Sequence, residues 1–179
     1  MPAVTTKFTD KDELDLDMFS VNIKAQLEAG VSGIILGGTL GEASTLTYDE
    51  KKVLMKETVQ LVEGKVPVII NIAEQTTKDA KHAAEVAEEC GATGLMMLPP
   101  MRYKANDYET VTYFKETANS TKLPIMIYNN PVDYGIMVTL EMLDELMVCS
   151  NIQAVKESTR DISNITRIKT KFGDRLNVL

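Results

Sequence analysis

The chain has 179 residues, 44% hydrophobic and 25% charged, with 19 Lys and Arg against 26 Asp and Glu for a net charge of −7. That acidic balance, with no run of basic residues, excludes the clustered cations of a nucleic-acid surface. The longest apolar runs, such as Val66 to Ile70 and Gly94 to Met101, are too short to span a bilayer. Cys90 and Cys149 stand apart without CxxC spacing and read as thiols in a reducing cytoplasm. A single histidine, His82, argues against a His-based metal site.

Short β-branched or apolar runs recur along the chain, and each is followed by a stretch of helical periodicity. The runs are Pro2–Phe8, Gly33–Gly37, Pro67–Ala73, Gly94–Leu98, Pro124–Asn129, Ile152–Lys156 and Leu176–Leu179. In the second helix Thr47 and Glu50 form a capping box, and Val53, Leu54, Val59, Leu61 and Val62 supply the apolar face. The third helix is expected from Lys78 to Cys90, with Ala80, Ala83, Ala84 and Ala87 inward and Gly91 as its stop. Asp107, Thr139 and Asp161 are the expected N-caps of the next three helices. Met96, Met97 and Met101 read as adaptable core filling. The pairs Glu88-Glu89 and Asp49-Glu50 read as solvated helix faces.

Alternation of this kind makes right-handed parallel βαβ units. Runs apolar at nearly every position, such as Val68-Ile69-Ile70, are expected to be buried on both faces. An open doubly wound sheet and a (β/α)8 barrel both fit. Polar residues gather past the C-terminal ends of many strands, at Thr39, Glu42, Asn71, Tyr103, Tyr128 and Lys156, and this favours the barrel, which brings all those ends to one mouth. With about seven strands and six helices, against the roughly 250 residues of a complete barrel, residues 1–179 are expected to be one partial TIM-barrel domain lacking its C-terminal strand or strands and helices.

Three segments carry chemistry. A lysine following Ala-Val on an apolar strand, as Lys156 does, is either paired or kept as a neutral amine for covalent chemistry with a carbonyl. Gly37-Gly38-Thr39-Leu40-Gly41-Glu42 follows the second run. Its glycines permit a tight turn that aims N–H groups at an anion, although alone it reads as an ordinary βα turn. Tyr128-Asn129-Asn130-Pro131 ends the fifth run, where a tyrosine hydroxyl can relay protons or simply be satisfied in the core.

In this order and spacing, Gly-Thr-Leu-Gly-Glu, Tyr-Asn-Asn-Pro and Val-Lys-Glu-Ser resemble the dihydrodipicolinate synthase/N-acetylneuraminate lyase family. The resemblance runs from Pro2 to Leu179 and includes Leu98-Pro99-Pro100. It implies a (β/α)8 barrel in a homo-oligomer, dimer or tetramer, acting as a class I lyase on a small 2-oxo acid such as pyruvate. No metal or organic cofactor is implied. Lys156 would match the Schiff-base lysine and Tyr128 the proton-relay tyrosine. Gly38, Thr39 and Leu40 would hold the substrate carboxylate through backbone N–H groups and a hydroxyl.

The chain departs from the synthase pattern in three places. Leu40 replaces a second threonine, Tyr103 falls one place late after Pro100, and Asp133 stands where the synthase has an arginine that meets a substrate carboxylate. An anion there would repel a dicarboxylate-forming substrate. A relative acting on a sugar-derived 2-keto-3-deoxy acid or a pyrroline carboxylate is therefore expected, with Asn130, Asp133, Arg102 and Tyr103 as candidate contacts. The alternatives are the synthase proper and a non-catalytic binding or assembly fragment.

Overall fold

The computed structural model describes residues 1–179. In chain order the elements are α1 (Leu16–Glu28), β1 (Ile34–Leu36), α2 (Tyr48–Val62), β2 (Val68–Ile72), α3 (Thr77–Glu89), β3 (Gly94–Met97), α4 (Asp107–Asn119), β4 (Ile125–Asn129), α5 (Pro131–Tyr134), α6 (Leu140–Leu146), β5 (Ile152–Glu157), α7 (Ile162–Phe172) and β6 (Asn177–Val178). Short 3-10 turns lie at Thr39–Gly41 and Gly173–Arg175. The six strands form one parallel sheet in chain order, as successive βα units require. No helix is long and apolar enough to cross a membrane.

Local side chains set most helix starts. Thr47 and Glu50 make the expected capping box of α2, and Thr139 and Asp161 accept from the backbone of α6 and α7. Each such cap stabilises its helix by about 1 kcal/mol. One cap differs from expectation: Asn106, not Asp107, caps α4, because its carboxamide reaches the Glu109 amide and Glu109 reaches back. Asp107 becomes the first helical residue.

The chain divides into two compact units, Met1–Asn71 with Val86–Leu95, and Ile72–Glu85 with Met96–Leu179. In the first, α1 packs on α2, and Phe19, Ile23, Leu54, Met55 and Val62 are buried. Val53 is exposed instead, and Met55 and Thr58 take inward positions on α2. The expected first strand, Pro2–Phe8, shrinks to a single parallel bridge between Ala3 and Ile35. The chain then folds back through Thr9–Glu13, with Phe8 bridging Leu14 in the opposite direction, so six strands form rather than seven. Ile69 and Ile70 are half-buried rather than sealed on both faces.

In the second unit, Phe114, Ile125, Ile127, Met142, Leu143, Ile152 and Val155 make the core. Met97 is buried there too, while Met101 is half-buried. The turn expected at Asn130-Pro131 is a one-turn helix, α5, with Asn130 as cap, Pro131 in its first turn and Gly135 closing it at φ 74°. Arg175 ties the end of α6 to β5 by donating to the carbonyls of Met147, Cys149 and Ile152. Cys90 and Cys149 are both buried free thiols. Burial pushes the Cys149 thiol up, against the opposing pull of the Lys115 and Arg175 charges.

Candidate active site

A register shift places the two central residues side by side. Ile125 pairs with Ile152 but Met126 pairs with Ala154, so Gln153 is an extra residue on β5 and forms a bulge. From there the register runs true, Tyr128 opposite Lys156 and Asn129 opposite Glu157. Without the bulge, period-two alternation would send Lys156 to the face opposite Tyr128.

On one face, the Lys156 Nζ lies 3.8 Å from the centroid of the Tyr128 ring. A cation over an aromatic face gains about 0.5–2 kcal/mol, so the amine is held, yet lightly. Lys156 is half-buried rather than enclosed. Tyr128 is braced edge-to-face by Tyr134 of α5, with centroids 5.5 Å apart. The Tyr128 hydroxyl accepts a hydrogen bond from Asn130 Nδ2 at 3.1 Å, which leaves the hydroxyl's own hydrogen to be given elsewhere. Asn130 Nδ2 also donates to Asp133 Oδ2 at 2.7 Å, and Asp133 Oδ1 lies 3.8 Å from the Arg160 guanidinium. Lys156, Tyr128, Asn130 and Asp133 are thus brought together at the ends of β4 and β5.

The opposite face carries a polar lock. Glu157 Oε2 accepts from Asn129 Nδ2 at 3.1 Å and from Asn164 Nδ2 at 2.9 Å, and Oε1 accepts from the Thr159 amide at 2.8 Å. Asn129, fully buried, also exchanges two bonds with the Val138 backbone. The carboxylate next to Lys156 is therefore engaged away from the amine. Past it, Asp161 is held below the usual carboxylate range, first by the Ser163 hydroxyl and amide and also by Arg167.

In the other unit, the turn after β1 is clamped at both ends. Asn71 Nδ2 donates to the Gly37 carbonyl at 2.8 Å, and the Thr6 hydroxyl donates to the Gly41 carbonyl at 2.6 Å. Gly37 sits at φ 64°, and a Cβ on Gly41 would come within 2.9 Å of the Val4 carbonyl, so both positions require glycine. The amides of Gly41 and Glu42 close the 3-10 turn on Gly38 and Thr39. The Leu40 side chain is 67% exposed. Tyr103 is 79% exposed on the loop after β3.

Glu157, Asn164, Arg160 and Thr6 escaped the sequence reading, while Asn71, the other half of the turn clamp, stood out only as a polar residue at a strand end. Period-two alternation from Lys156 would have turned Glu157 to the far face. Nothing local signals its two asparagine partners, which are 28 and 7 residues away.

The sequence model of the dihydrodipicolinate synthetase family matches residues 1–179. The chain belongs to this family. A curated relative, 4-hydroxy-tetrahydrodipicolinate synthase of Exiguobacterium sibiricum, is 34% identical over 172 residues, covering 96% of this chain and 59% of the relative. The crystal structure of dihydrodipicolinate synthase from Aquifex aeolicus superposes with a TM-score of 0.95 at 30% identity, over 99% of this chain and 60% of that one. A prophage protein of the same family from E. coli, solved in complex with pyruvate, gives 0.93 at 28% identity, over 99% and 61%. The fold is that of a (β/α)8 TIM barrel, incomplete here, and the chain spans about 60% of the length of these relatives.

Proposed function

We propose that the protein is a Schiff-base-forming lyase acting on pyruvate or a related 2-oxo acid, with residues 1–179 as the larger part of its barrel domain. The observation that carries this reading is the Lys156 amine laid over the Tyr128 ring by in-register neighbouring strands. The free amine attacks the C2 carbonyl carbon, a C–N bond forms, and the carbonyl oxygen leaves as water. The resulting iminium accepts the electron pair of a breaking C3–C4 bond, giving an enamine and releasing an aldehyde. In the condensing direction it accepts the pair of a C3–H bond instead. Tyr128, its hydroxyl already accepting from Asn130, passes the proton. The reading includes a homo-oligomer in the cytoplasm and leaves Tyr103 as a contact to the outer part of the substrate.

Borohydride reduction with pyruvate tests it on the full-length protein. A stable adduct located at Lys156 by peptide mass is expected, and none in Lys156→Ala. A folded, full-length protein without an adduct overturns the lyase and favours a binding or assembly role.

A second reading, 4-hydroxy-tetrahydrodipicolinate synthase proper, is favoured by the names of the relatives at 31–34% identity. Asp133 weighs against it, because an anion stands beside the relay where a dicarboxylate would form. Turnover of pyruvate with aspartate semialdehyde decides between the two.

A further inference from the structure

Resting on the lyase reading, we propose that Asn130 is a positioning residue: its carboxamide, held in one orientation by the start of α5, keeps the Tyr128 hydroxyl a proton donor to the species on Lys156. Asn130 is 4% exposed, and its whole amide group is engaged between residues 128 and 133. Nδ2 gives one hydrogen to the Tyr128 hydroxyl oxygen at 3.1 Å and the other to Asp133 Oδ2 at 2.7 Å. Oδ1 accepts from the Asp133 backbone amide at 3.3 Å, the bond that caps α5. With no hydrogen to spare, this side chain acts on Tyr128 rather than on substrate. Turning the amide over would set its NH2 against the Asp133 N–H and its oxygen against the Asp133 carboxylate. Buried donors and acceptors left facing their own kind are costly, so only the observed orientation is held.

An N–H aimed at the tyrosine oxygen repels the hydroxyl's own hydrogen, which turns away from Asn130. The ring itself is fixed, with Tyr134 against it edge-to-face and the Lys156 amine over its face. When Nζ adds to C2 of the 2-oxo acid, the carbonyl oxygen becomes a hydroxyl. Tyr128 gives that hydroxyl its proton, the C–O bond breaks, and water leaves behind the iminium. The phenolate oxygen then takes a proton from C3, whose electron pair moves toward the iminium and forms the enamine. Between the two transfers the Asn130 bond is charge-assisted and roughly twice as strong. It therefore favours the reacting stage over the resting one. An acceptor at the same place would do the reverse, capturing the hydrogen and repelling the phenolate.

The test uses the full-length protein with pyruvate as the one probe. Borohydride trapping at Lys156 reports condensation, and exchange of the pyruvate methyl hydrogens in D2O, followed by NMR, reports proton transfer at C3. Asn130→Asp keeps the cap of α5 but replaces the donor by an acceptor. It should still trap pyruvate at the end point, while exchange slows by about 100-fold or more, in the saturating rate rather than in KM. Adding Tyr128→Phe should slow exchange little further, because both changes act through one hydroxyl. Pairing Asn130→Asp with Asp133→Asn relieves the repulsion between two carboxylates. The urea midpoint should recover in that double variant and the exchange rate should not. Exchange at the parent rate in Asn130→Asp, recovery of exchange together with stability, or independent losses from Asn130→Asp and Tyr128→Phe overturns the positioning role and leaves the lyase standing. Absence of trapping in the parent protein removes both.

Discussion

Replacing Glu157 by glutamine probes the polar lock on the strand face opposite Lys156. The carboxylate accepts three hydrogen bonds, from Asn129, Asn164 and the Thr159 amide, and two of the donors belong to buried asparagines. Glutamine keeps one acceptor oxygen and turns an NH2 group toward at least one of those donors. Each bond that survives changes from charge-assisted to neutral, a loss of about 1 kcal/mol, and the donor left facing NH2 costs about 1–2 kcal/mol more. Together these predict a loss of about 3 kcal/mol. For a chain of this size that lowers Tm by roughly 6–12 °C. Urea unfolding of the full-length protein measures it: the midpoint should fall with the slope unchanged. A loss under about 1 kcal/mol would show that the three bonds are replaced by water and that Glu157 does not lock the strand.

Tyr128→Phe should retain the ring under Lys156 and still trap pyruvate, while turnover falls by about 10²–10⁴-fold; an unchanged rate removes the hydroxyl from the reaction. Gly41→Ala places a methyl 2.9 Å from the Val4 carbonyl, so the turn must shift. A destabilisation of about 1–3 kcal/mol is expected, and parent-like stability would refute the tight approach. Asp161 has a folded pKa below its unfolded value, so its stabilisation is present above the unfolded carboxyl range near pH 3.9 and is lost as pH falls through the lower folded value. Asp161→Asn keeps a cap and should flatten that acid limb, and superimposable stability profiles between about pH 2 and 4 would count against the assignment.

Local rules were legible wherever one element answers to its own residues. Caps at Thr47, Thr139 and Asp161 were readable because each acts on amides two or three residues away. Alternating strands and helices announced parallel βα units, and Lys156, Tyr128 and the glycine turn announced themselves by position after strands. Where two neighbouring polar residues competed for a cap, as Asn106 and Asp107 did, composition could not choose between them. Nor could apolar pattern foresee that Pro2–Phe8 would make only one bridge before turning back.

Residue order alone, then, sufficed for the fold class and for naming a lysine, a tyrosine and an anion-turn candidate. The meeting of the lysine and the tyrosine depended on chain segments distant in sequence. The bulge at Gln153 sets Tyr128 against Lys156, Asn129 and Asn164 hold Glu157 on the far side, and Arg160 reaches Asp133 from another loop. Hydrogen bonds and register join residues by separation in space, and those separations exist only once the strands have paired.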